Sequence, residues 1–267
     1  IATAALRVNS AMLQMNASGA INLRDMAFDL AYDIASDNLQ TLMKQAAAFI
    51  PNLPHDSPLT KFSGQIKRIA GTVRGAAADL EIAAKAELSR VDLFWAQLDE
   101  LGAEIELKKN VVTVKQARAA YKSASITAQG TVDLAGKSGV TVDIPITLAA
   151  GELADYLAIG KQTLPVSGAL KQVNLRVRGA LDDLQADAAV KIVKGSAWEQ
   201  SFDDLTALAK FAGNRVTLSS LKIKKNGGAV ALKGFYDFDQ SFQAEMTVSK
   251  LNFHDIDRSK SIAVQYE

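Results

Sequence analysis

Strict alternation of apolar and polar residues, recurring along the chain, is the feature that most limits what this sequence can fold into. In residues 79–88, Leu80, Ile82, Ala84, Ala86 and Leu88 fall on one parity, opposite Asp79, Glu81, Lys85 and Glu87. In residues 126–134, Ile126, Ala128, Val132 and Leu134 stand opposite Thr127, Gln129, Thr131 and Asp133. In residues 140–148, Val140, Val142, Ile144, Ile146 and Leu148 stand opposite Thr141, Asp143, Pro145 and Thr147. Phe242, Ala244, Met246 and Val248 repeat the pattern, and Val190, Ile192, Val230 and Leu232 are placed with it. A period of two is that of a strand with one dry and one wet face, the usual condition of antiparallel sheets.

Helical signals are few. Residues 37–49 open on Asp37, a candidate cap, and stop at Pro51. Residues 151–157 and 251–258 each suggest a turn or two of helix. Residues 50–58 form the one Pro-rich stretch and read as a long crossover. The expected fold is therefore mainly β: a repeating antiparallel sheet curled into an elongated apolar groove, with short helical crossovers between units.

A shift of 104 residues superposes the chain on itself without a gap. Gly64 falls on Gly168, Gly75 on Gly179, Gly130 on Gly234 and Asp133 on Asp237. The Leu98-Asp99-Glu100-Leu101 run falls on Phe202-Asp203-Asp204-Leu205, and Asn110 on Asn214. The Gly19–Leu30 region echoes the end of each unit. The reading is residues 1–36 as the end of a preceding unit, 37–150 and 151–250 as two units, and 251–267 as the start of the next crossover. Repeats of this kind stack into quasi-one-dimensional arrays. The matching glycines read as bulges and turns rather than phosphate loops.

Chemistry is sparse. Among 267 residues there is no cysteine, which removes disulfides and thiolate sites but excludes no compartment. Thirty basic against 29 acidic residues give no concentrated positive charge for nucleic acid. Lys67-Arg68 and the run from Lys222 to Lys225 read as solvated strand edges. The two histidines, His55 and His254, have no nucleophile or carboxylate constellation around them. Asp182-Asp183 and Asp203-Asp204 read as turn residues, and Lys225-Asn226-Gly227-Gly228 as a hairpin turn. Trp95 and Trp198, nearly equivalent in the two units, read as core or rim packing. No catalytic residue, metal ligand or cofactor is expected. Neither an apolar run long enough to span a bilayer nor a signal peptide is visible, and the abrupt start at Ile1 suggests a piece of a longer protein.

An extended sheet with so few helices cannot cover its own apolar face. Either two sheets pack together or one sheet curls and leaves a trough that must hold something apolar. With only 6% aromatic residues, the face lacks the aromatic girdles of an outer-membrane barrel. The candidate lining residues are Leu80, Ile82, Ala84, Leu88, Ile126, Ala128, Val132, Leu134, Val142, Ile144, Ile146, Val190, Ile192, Val230, Leu232, Phe242, Met246 and Val248. The expected occupant is phospholipid or another acyl lipid. The alternative is an assembly scaffold that binds outer-membrane or secreted proteins through its sheet edges.

The order of these elements resembles the AsmA-like (TamB) superfamily. The resemblance runs from about Gly19 to Arg258 and rests on Gly64, Gly75, Gly130 and Asp133 with their second copies Gly168, Gly179, Gly234 and Asp237. It also rests on the run LDELGAEIELKKNVVTV, then SITAQGTVDL, and a closing LADYL crossover. The sequence departs from that pattern in showing no membrane anchor and no segment that matches a barrel-partner contact region. What the resemblance implies is a periplasmic, inner-membrane-anchored envelope protein. Its repeating β-groove would carry phospholipid between membranes, with inner- and outer-membrane partners bound through regions beyond these residues.

Overall fold

The computed structural model describes residues 2–10, 13–41, 62–76, 79–93, 96–136, 139–161 and 163–251. Its strands are β1 (Ala2–Asn9), β2 (Leu13–Asn22), β3 (Ala27–Ser36), β4 (Ser63–Ala76), β5 (Glu81–Leu93), β6 (Ala96–Lys108), β7 (Val111–Tyr121), β8 (Ala124–Asp133) and β9 (Thr141–Leu148). A two-residue strand β10 (Gly151–Glu152) leads into helix α1 (Leu153–Ile159). The chain continues through β11 (Val166–Ala180), β12 (Asp183–Ala197), β13 (Gln200–Ala212), β14 (Arg215–Lys225), β15 (Gly228–Asp237) and β16 (Phe242–Ser249).

All of these strands belong to one 16-stranded sheet. Each strand pairs antiparallel with its successor, except that β9 passes to β11 while β10 adds a short pair on β11. The described residues thus form a single open sheet and not a two-sheet sandwich. Nearest-neighbour pairing is what short connections between alternating segments favour. Asn226-Gly227 makes the two-residue turn between β14 and β15 with φ of 48° and 82°, the left-handed pair that matches the twist of a hairpin.

Four expectations need correction. The helix predicted at residue 151 starts two residues later, because Gly151 pairs with Leu170 and Glu152 with Ala169 of β11. Asp203 and Asp204 lie within β13 and not in a turn. Asp203 Oδ2 accepts the backbone N–H of Asn226 at 2.7 Å, so it holds the neighbouring hairpin from inside a strand. The basic clusters Lys67-Arg68 and Lys222–Lys225 sit on interior strands β4 and β14 rather than at sheet edges. Of the helix expected over residues 37–49, only its first turn is described. Its cap is Asn38, whose Oδ1 accepts from Thr41 N at 2.9 Å, and not Asp37. The crossover at 50–58, His55, His254, Trp95 and the helix expected after Leu251 lie outside the described residues.

The same irregularities occur twice, 104 residues apart. Register shifts at Ser63/Gln65 and Ile66/Arg68 reappear at Ser167/Ala169 and Leu170/Gln172. Those at Glu104/Ile105 and Val114/Ala117 reappear at Leu208/Ala209 and Leu218/Leu221. Arg90 and Lys194 both take left-handed φ of 50°, and Lys122 N is held by Asp99 as Asn226 N is held by Asp203.

The two buried clusters lie at the strand ends beside α1. At Arg90 the alternation changes phase, and Val91 (fully buried) and Leu98 join Leu88 and Leu101 around Ala96, Ala124 and Ile159. At Lys194 the same change brings Phe202 together with Leu170, Val173 and Ile192. Tyr156 of α1 packs on both clusters, and Leu153 on the second.

Candidate functional site

Direct cross-strand partners share a face, so the register shows which side chains lie together. One row runs from Val132 of β8 to Val142 of β9, Gly179 of β11 and Leu184 of β12. Beyond the row of Ile144, Val177 and Ala186, another runs through Ala86, Ala103, Ala117, Ala128, Ile146, Leu175, Ala188, Ala209 and Leu218. A further row passes Leu88, Leu101, Ala119, Ile126, Leu148, Val173, Val190, Ala207, Leu221, Leu232 and Met246. In β1 to β4 the same face carries Val8, Met15, Ile34 and Ile69. From β1 to β16 the register therefore keeps apolar side chains on one face, despite bulges that shift the parity within single strands.

Of the residues expected on this face, Ile82, Ala84, Leu88, Ile126, Ala128, Val132, Val142, Ile144, Ile146, Val190, Val230 and Leu232 are half-buried strand residues. Phe242, Met246 and Val248 lie on the same face of β16 and are exposed. Ile192 differs from its neighbours: it is 8% exposed and packed into the cluster with Leu170 and Phe202, so protein already covers it. Leu80 precedes β5 and Leu134 follows β8, where it is exposed in the turn with its N–H bonded to Asn110 O at 2.8 Å.

The alternation test passes over β4 and β11, whose bulges interrupt the period of two. They add Ile66, Ile69 and Val73, and Val173, Leu175 and Val177, to the same face. Tyr32 is another addition. It lies over Gly71, its hydroxyl donates to Ala83 O at 3.4 Å, and burial raises its pKa above the ordinary phenol value.

The opposite face carries the charges. Arg176 forms a two-pronged pair with Asp143 (2.8 and 2.7 Å), and Arg215 does the same with Asp237 (2.6 and 2.7 Å). In each case the guanidinium hydrogen bond holds the aspartate below the usual carboxylate range. Lys108–Glu81, Arg68–Asp33, Arg178–Asp187 and Lys233–Glu245 bridge neighbouring strands in the same way. Exposed pairs of this sort add little stability but keep the face wet. A surface depression of about 710 Å³ opens on this charged side, floored by Ala5, Ser18, Ala20 and Ala31 between Asp29 and Arg74. Its small side chains create the hollow, and the Asp29 and Arg74 beside it are paired with each other at 3.1 Å.

Helix α1 is tied across the β9–β11 crossover by polar contacts. Asp155 Oδ2 accepts from Ser123 Oγ at 2.6 Å and from Ser123 N at 3.2 Å, which lowers its pKa. The Tyr156 hydroxyl donates to Ala149 O at 2.7 Å and accepts from Ser125 N at 3.1 Å. Lys161 Nζ reaches Asp92 at 2.7 Å.

Among the described residues no cluster of His, Asp or Glu could hold a metal ion, and no helix is long and apolar enough to cross a membrane. No family model, curated protein or solved structure matches this chain.

Proposed function

We propose that the apolar face of this sheet, curled into a groove, shelters the acyl chains of phospholipid for transfer between the inner and outer membranes of a bacterial envelope. The observation that carries this reading is the register: it keeps apolar side chains on one face of the strands, and among the described residues only the short helix α1, at one end, packs across them. At about 4.8 Å per strand the face extends roughly 70 Å. Each methylene withdrawn from water onto it is worth about 0.8 kcal/mol. Most of these side chains are aliphatic, with a few aromatic ones such as Tyr32 and Phe242 among them, so an alkyl chain is held without one preferred seat and moves along at small cost. The protein acts without catalysis, and the charged face stays in the periplasmic solvent. Its likeness in layout to AsmA-like proteins supports the same reading.

The test is native mass spectrometry of the gently purified chain, followed by lipid extraction. Copurifying phospholipid that is lost from a folded Val142→Asp variant supports the groove. A lipid-free, stable wild-type chain, or undiminished lipid in the variant, overturns it.

A further inference from the structure

The last hairpin of the sheet reproduces an earlier one whose outer strand is paired on both sides. β8 and β9 match Ile126 with Leu148, Ala128 with Ile146 and Val132 with Val142. β15 and β16 match Val230 with Val248, Leu232 with Met246 and Tyr236 with Phe242. Ile126, Ala128 and Val132 stand 104 residues before Val230, Leu232 and Tyr236, so β16 occupies the place of β9.

The two places differ at the outer edge. That of β9 is filled by β11, antiparallel from Leu148↔Val173 to Thr141↔Ala180. That of β16 pairs with no strand among the described residues, and all eight of its residues are exposed. β16 also lacks the features that blunt an edge: it has no proline, its pairing with β15 has no register shift, and its one acid, Glu245, is paired with Lys233 at 2.9 Å.

We propose that the outer edge of β16 is a docking site for one further antiparallel strand of the β11 kind. Such a strand carries aliphatic residues at alternate positions, continuing the face of Phe242 and Met246, and polar or basic residues on the other side. β11 itself is the template, with Val173, Leu175 and Val177 on one face and Asn174, Arg176 and Arg178 on the other. Main-chain hydrogen bonds supply the affinity and the alternate side chains the selectivity. The proposal is independent of whether lipid occupies the face.

The experiment adds a fluorescent peptide with the sequence of residues 165–181 to the full 267-residue chain, and follows binding by anisotropy and backbone protection by hydrogen exchange. The expected result is binding that slows exchange in β16 and leaves β9 unchanged. Met246→Lys, at an exposed position, should weaken binding by roughly tenfold or more. The same peptide with Leu175→Pro, which lacks a ladder N–H, should not bind. Equal binding of the two peptides overturns the proposal, as does binding indifferent to Met246→Lys. Peptide-free self-association that Met246→Lys abolishes also overturns it, because it assigns the edge to a second copy. Lipid occupancy of the same samples is read separately, so failure here is distinguishable from failure of the groove.

Discussion

The Phe202 ring lies against the backbone of Gly195, its direct cross-strand partner, one residue after Lys194 takes its left-handed φ in β12. A β-carbon at Gly195 would sit 2.7 Å from Phe202 Cε2 and 2.5 Å from Ser167 O, so the contact exists only because residue 195 has no side chain. The ring then fills the space beside Leu170 and Ile192.

This contact predicts two unequal losses. Gly195→Ala should destabilise the chain by about 1–3 kcal/mol through overpacking. Phe202→Ala should cost about 3–5 kcal/mol through the cavity it leaves. Urea unfolding followed by circular dichroism measures both.

The half-buried face and the buried clusters should respond differently to charge. Ile144→Asp, on the half-buried face, should leave the far-ultraviolet spectrum unchanged while removing bound phospholipid in native mass spectrometry. Leu170→Asp, at a site 2% exposed, should prevent folding because an isolated carboxylate there has no partner.

Tyr156 links the crossover helix to both buried clusters. Tyr156→Phe keeps the ring packing but removes the hydroxyl contacts to Ala149 O and Ser125 N, and should cost about 1 kcal/mol. Tyr156→Ala should cost about 3 kcal/mol or more, since both clusters lose a packing partner. Thermal unfolding of the two variants separates the hydroxyl from the ring.

Asp155 gives the crossover an acid sensitivity. The Ser123 hydroxyl and N–H hold its folded-state pKa below the unfolded carboxylate value of about 3.9. A depressed carboxylate contributes stability that is present above that unfolded value and is lost as pH falls through the folded one. The wild type should therefore melt higher than Asp155→Asn near pH 7, and the gap should close below about pH 4. A gap unchanged at pH 3 would show that the ionised Asp155–Ser123 contact contributes nothing.

Alternation in residues 126–134 and 140–148 was enough to place β8 and β9, and the Asn226-Gly227 dipeptide placed the β14–β15 hairpin. These depend on the chain's own period and on φ values that few residues accept, so they are local properties. The faces of β4 and β11 were hidden, because each bulge shifts the parity and a two-residue test then reads Ile66 and Ile69, or Leu170 and Val173, as out of phase. The buried role of Ile192 was hidden as well, since nothing in its own strand places Phe202 or α1 beside it.

The sequence by itself determined a strand-rich chain with one apolar and one charged side to each segment, and a pattern that recurs after 104 residues. Only the tertiary structure decided that the described strands join one open sheet, that their apolar sides all fall on the same face, and that α1 covers one end of it. Side-chain period is set within a strand, whereas partner, register and cover are set by contacts between residues far apart in sequence, where a shift of one residue reverses every side chain.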